Sequence, residues 1–304
     1  MGKAGRFVCI SIPMLLTIAS LIFLIMVGLG GTNAKNSYLS NIYFLQANTT
    51  AAAHNATLLA AHPKLHLDNF YAIGLWGYCG GSAPNASASV LSVGQTSALT
   101  VDYCTARQLQ FWFDPRAVWG LNDAFAPKFL GQQLNDTLTW YQTNASKWLS
   151  TLFILAVVST AVEILVGIGG LFSRLGSIFT TIASLISTAF LCAFVLLATI
   201  TYAGLGAAFN AALQNSYGIT FSLGRTMFTY MWLAVACSTA SGLFWAFSSC
   251  CCSGRSRQPA YTKAERTPYT YENIDGPYTT QHVAPQGQHA GGRPTAYEPY
   301  RHGN

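Results

Sequence analysis

Four sets of side chains in this 304-residue protein are chemically suggestive. Cys79 and Cys104 stand alone in a polar stretch between two apolar runs, and in an oxidising compartment such a pair has one intramolecular partner choice. Closing that loop stabilises it by roughly 3 kcal/mol on the chain-entropy account, two buried free thiols being the alternative. Glu163 falls inside an apolar run, where an ionisable group costs on the order of 3 kcal/mol and must face other helices and find a donor. An ion or proton path is one use for it. Without a second acid or a basic partner in the membrane, a protonated or hydrogen-bonded interhelix contact is the favoured reading.

His54, His62 and His66 precede the first cysteine, with Asp68 close by, and a four-residue spacing could offer two imidazoles to zinc. Pro63 and the Ala/Thr/Asn-rich surroundings favour a glycosylated surface segment, so no metal is assigned. Cys250, Cys251 and Cys252 follow the last apolar run, just ahead of Arg255 and Arg257. Consecutive cysteines cannot easily place three sulfurs tetrahedrally around zinc, whereas juxtamembrane cysteines beside basic residues suit S-palmitoylation. No nucleophile and base set, phosphate loop or paired acids accompany these groups, so no catalytic residue and no cofactor is expected, and an enzyme is the least favoured class.

The elements that must position these groups follow from hydropathy. Apolar residues make up 51% of the sequence and charged ones 9%, a balance that belongs to a polytopic membrane protein. The net charge of +6 forms no basic stripe, which argues against nucleic acid as a partner. The sequence divides into a short N-terminus (1–7), a first span (8–29), a large loop (30–147), a second span (148–172), a tight turn (173–177), a third span (178–202), a short loop (203–225), a fourth span (226–247) and a tail (248–304). The first span covers about 33 Å as a helix, enough for a hydrocarbon core of about 30 Å. The third is expected to project to about Leu213, with a short strand at 219–221. The Pro-, Gly- and Tyr-rich tail is expected to be disordered.

Glycosylation sequons start at Asn48, Asn55, Asn85, Asn135 and Asn144, all within the large loop, and Asn144 lies too near the next span to be a good acceptor. They place the loop outside. Lys3, Arg6, Arg174, Arg255 and Arg257 place both termini and the tight turn in the cytoplasm. Within the loop, Asn69 to Cys79 reads as a core strand covered on both faces. Leu109 to Phe113 reads as another strand or an amphipathic turn whose aromatics serve packing.

Gly74-Leu75-Trp76 followed by Cys79 and a later Cys104, in the first loop of a four-span protein, resembles the claudin superfamily. The run Phe70 to Cys79 is most similar to the fungal SUR-seven/PalI family of cortical-patch tetraspan proteins. The wide cysteine spacing and the lack of an earlier loop tryptophan depart from animal claudins, so a paracellular barrier is not implied. The resemblance implies a membrane all-α, left-handed four-helix bundle with a small antiparallel β extracellular domain, Cys79 and Cys104 bridged, and Trp76 packing the sheet onto the membrane surface. It further implies a non-enzymatic, multi-pass plasma-membrane protein that organises cortical membrane domains and supports cell-wall and endocytic functions. Membrane lipids, other plasma-membrane domain proteins and further copies of the same protein are the implied partners. A PalI-like accessory of ambient-pH sensing, or a tetraspan of membrane fusion or ion flux, are the alternatives.

Overall fold

The computed structural model describes residues 3–55, 60, 65–82, 100–121, 126–170 and 174–251. The protein divides into units Met1–Arg255 and Ser256–Asn304, and all of the second lies outside the described residues. So do His62, Asn85, Cys252, Arg255, Arg257 and the expected disorder of the tail.

Four long helices, α1 (Lys3–Leu29), α2 (Ser146–Gly170), α3 (Arg174–Tyr217) and α4 (Arg225–Cys251), dominate the first unit. Each carries a stretch long and apolar enough to cross a membrane. Their apolar residues run all round the helix, because a helix in a bundle within lipid meets hydrocarbon outside and side chains inside. Accordingly Leu165, Leu185 and Ile200 point outward while Leu24, Phe194, Met231 and Ala234 are buried. Helix α1 packs on α4 and α2, α2 on α3, and α3 on α4, closing a four-helix ring.

Two helices run well past a bilayer's thickness. At 44 residues α3 is about 66 Å long. It continues beyond the expected Leu213 to Tyr217, where Gly218 turns the backbone with a positive φ of 71°. Helix α2 is the continuation of a shorter helix, Gln132–Trp140, through one π-helical turn at Tyr141–Ala145. That wide turn is where the continuous rod passes Tyr202 of α3, the two phenolic oxygens standing 3.5 Å apart.

Between these projecting ends lies a five-stranded antiparallel sheet, β1 (Leu45–Asn48), β2 (Phe70–Ile73), β3 (Tyr78–Ser82), β4 (Thr100–Cys104) and β5 (Thr220–Leu223). Its order is β4-β3-β2-β1-β5. The short strand expected at 219–221 is thus part of the sheet, pairing Leu223 with Leu45 and Thr220 with Asn48. The stretch Asn69 to Cys79 is not one strand but a hairpin. Gly74 and Gly77 close a tight turn through a 2.8 Å hydrogen bond from the Gly74 N–H to the Gly77 carbonyl. All four residues of β2 are buried, as the two-sided apolar pattern requires. Leu109 to Phe113 forms no strand; a turn with Gln110 in the left-handed region delivers Phe113 to the core.

The sheet's inner face is aromatic. Tyr71, Phe113 and Trp119 form one cluster of tilted and edge-on contacts, Phe44 stacks on Tyr202 at 4.3 Å between centroids, and Phe209 stacks on Phe221 at 4.2 Å. These pairs tie the strands to α3 through large buried apolar areas and favourable ring geometry. At the junction of β5 and α4, Gly224 donates its N–H to the Phe44 carbonyl. A Cβ added there would overlap the Tyr43 carbonyl oxygen, which is backbone and cannot swing aside. Gly224→Ala should therefore destabilise the protein by about 1–3 kcal/mol, as overpacked sites do. A thermal melt in detergent checks this, the expected result being a clear fall in the midpoint with the mutation confined to one methyl group.

Candidate functional site

The hairpin turn Gly74-Leu75-Trp76-Gly77 is seated on the end of α1. The Trp76 indole N–H donates to the carbonyl of Gly28, in the last turn of α1, at 3.0 Å. Such a carbonyl has no partner further along its own helix, so the indole caps the C-terminal end of α1. The Trp76 ring meets Phe153 of α2 edge-on at 5.6 Å between centroids, and Phe153 in turn meets Phe194 of α3. One residue of the sheet therefore bears on two helices and, through Phe153, on a third.

Glycines make that seat. A Cβ on Gly28 would lie 2.8 Å from the Phe153 ring, and one on Gly74 would lie 3.0 Å from the Gly30 carbonyl oxygen. The two backbones touch because neither carries a side chain there. Behind the turn, Cys79 and Cys104 form a disulfide between β3 and β4, directly opposite one another in the ladder. Cys79 is fully buried and its sulfur lies 3.2 Å from the Gly31 carbonyl oxygen. The bridge thus braces the hairpin at the point where it rests on α1.

On the sheet's outer part, Asp68 accepts a 2.8 Å hydrogen bond from the Tyr103 phenol, and the Tyr71 phenol accepts one from the Asp68 N–H at 2.9 Å. Partial burial, then the hydrogen bond to the Asp68 carboxyl and its charge, push the Tyr103 phenol above its ordinary value. It stays a neutral donor. Gly80, whose Cβ would strike both the Asp68 carboxyl and the Tyr103 ring, leaves room for this pair.

Glu163 forms the second constellation, buried at the centre of the bundle and 1% exposed. The Thr17 hydroxyl of α1 lies 3.2 Å from Oε1, in donating position, and the Ser187 hydroxyl of α3 donates to Oε2. Thr17 also lies 2.8 Å from the Ser241 hydroxyl of α4, and Ser241 donates to the Pro13 carbonyl of α1 at 3.0 Å. The carboxyl of α2 is thus bonded directly from α1 and α3, and α4 joins the cluster through Ser241 on Thr17. One rung further along, Thr188 and Ser238 pair at 2.7 Å between α3 and α4. Gly242 also packs closely, since a Cβ there would lie 3.1 Å from the Ser184 hydroxyl. Gly204 of α3, by contrast, faces open space.

The remaining residues singled out in the sequence lie apart. His54 and His66 are both exposed. His66 uses its backbone, donating to the Trp119 carbonyl at 3.1 Å. No group of three or more His, Cys, Asp or Glu side chains converges among the described residues. Asn48 ends β1 half-buried, its Oδ1 accepting from the Thr50 N–H at 3.1 Å, while Asn55 is exposed beyond the short helix Thr50–Ala53. Asn135 is half-buried on the helix Gln132–Trp140, and Asn144 is exposed in the π turn. Cys250 and Cys251 are the last residues of α4.

Four long apolar helices capped at one end by a small, disulfide-braced antiparallel sheet define a tetraspan membrane protein of claudin-like fold. The model of the SUR7/PalI family matches residues 9–244, and the protein belongs to that family. No curated protein matches it.

Two outcomes test the geometry. Cys79→Ser should lower stability by roughly 3 kcal/mol, read as an earlier thermal midpoint of the unreduced protein, with reduction of the parent giving a comparable shift. Glu163→Ala removes two interhelix hydrogen bonds and should cost about 1–3 kcal/mol in detergent unfolding, whereas Glu163→Gln, which keeps the shape and one acceptor oxygen and offers its NH2 to a hydroxyl that turns to accept, should cost well under half of that.

Proposed function

We propose that the protein is a non-enzymatic organiser of stable plasma-membrane domains, with the sheet outside and both termini in the cytoplasm. The carrying observation is the seat of Trp76 on α1 and α2, which makes the outer sheet and the helical bundle mechanically one body. A protein built so can relay lateral order between an outer surface and the membrane plane without moving parts. The confinement of all five sequons to residues 48–146 supports an outer location for the sheet, and the basic residues near the two ends of the sequence support the opposite face as cytoplasmic. Cys250, Cys251 and Cys252 would then sit at the inner leaflet, where acylation adds a second membrane anchor. Membership of the SUR7/PalI family supports roles at the cell cortex, in cell-wall integrity and endocytosis. Membrane lipids, neighbouring proteins of the same domains and further copies of this protein are the partners this reading calls for.

A C-terminally fluorescent copy in living cells tests it. Static cortical patches with slow recovery after bleaching are expected, and a diffuse, rapidly recovering signal would contradict the organiser role. Orientation is checked separately by glycosidase treatment: the mobility of the full-length protein should increase, and Asn55→Gln should remove one step of that shift.

A further inference from the structure

A groove of about 600 Å³ opens between β5 and the neighbouring ends of α3 and α4. Leu45, Ala203, Gly206, Ala207, Phe221 and Phe228 line it. The stretch apolar enough to span a membrane begins in α4 at Arg225, so the groove lies where the bundle meets the membrane boundary. Small residues on α3 leave a channel instead of a packed seam. Arg225 stands exposed at its rim and has no carboxylate partner among the described residues.

The sheet edge supplies a second donor. Asn210 of α3 caps Phe221 on the free side of β5, accepting its N–H at 2.7 Å and donating to its carbonyl at 2.9 Å. The register of β5 on β1 turns alternate residues the same way, so the Leu223 N–H also points away from β1. Among the described residues it meets no acceptor. An unpaired edge N–H and an unpaired guanidinium thus flank the mouth of an apolar channel.

We propose that this groove is a binding site for one membrane phospholipid, an acyl tail lying along Ala203, Gly206 and Ala207 and the phosphate held by Arg225 and the Leu223 N–H. A guanidinium presents a planar fork that suits phosphate, and a tail in the groove continues the hydrocarbon around the helices. The site rests on the bundle spanning a bilayer and is independent of which face is outside.

Photo-crosslinking tests it on the full-length protein in detergent, using phosphatidylglycerol with a photoactivatable acyl tail and mapping adducts by mass spectrometry. Adducts should concentrate on residues 203–210 and 221–228. Ala207→Phe, which fills the channel from an exposed position, should abolish them. Arg225→Gln should lower them by about fivefold, the worth of one arginine at a phosphate-bearing surface. Photoactivatable diacylglycerol, with tails but no phosphate, should label no better than phosphatidylglycerol labels the Arg225→Gln protein. Adducts spread evenly over the lipid-facing helices and unchanged in both variants would mean ordinary annular lipid and overturn the site. Equal labelling by diacylglycerol together with indifference to Arg225→Gln would overturn the phosphate assignment.

Discussion

The structure depends on one close approach, that of the Gly74 to Gly77 turn onto the glycine-rich end of α1. A sheet lying at a membrane surface gains little from the hydrophobic effect on the side facing lipid, because hydrocarbon is as apolar as the side chains it would replace. It must instead be fixed by directional contacts and by tight packing. The Trp76 indole supplies both, capping a helix-terminal carbonyl and pressing on Phe153. The disulfide acts on the same spot, since Cys79 follows the turn closely and sits against Gly31. Glycine at 28, 30, 31 and 74 is what lets the two backbones meet.

The bundle solves the same problem with hydroxyls. Helices in hydrocarbon associate through packing and interhelix hydrogen bonds, and small polar residues are suited to both. Thr17 and Ser187 bond Glu163 from two other helices, Ser241 of the fourth pairs with Thr17, and Thr188 with Ser238 repeats the device one rung away. The carboxyl is therefore satisfied by neutral donors and, among the described residues, reaches no opposite charge. At the end of the bundle that carries the sheet, aromatic stacking takes over, with Phe44 on Tyr202 and Phe209 on Phe221 joining strands to the long α3. Polar contacts hold the centre of the bundle and ring contacts hold its end.

Much of this is legible in the sequence, for definable reasons. Four apolar runs mark the helices because hydrocarbon imposes a strict length and composition, and a lone cysteine pair in a polar loop has one partner. The two-sided apolar pattern around Phe70 announces a covered strand. The hairpin is hidden inside that run: Gly74 and Gly77 carry a turn, but Leu75 and Trp76 between them keep the pattern apolar. Strands β1 and β4 are not legible. The first is four residues long, and the second is half exposed, so neither repeats its pattern for long enough to stand out. The partners of Glu163 are equally hidden, because which hydroxyls reach it depends on the relative register of helices far apart in sequence.

The central claim is that sheet and bundle are coupled through Trp76. Hydrogen exchange of the full-length protein in lipid nanodiscs, comparing the parent with Trp76→Ala, tests it most directly. Coupling predicts that protection falls together in β1, β2 and β3 and in the last turn of α1, while the mid-membrane amides around Glu163 stay protected. Protection lost only at residues 74–77, with the strands unchanged, would show a sheet that stands without its tryptophan and would contradict the account.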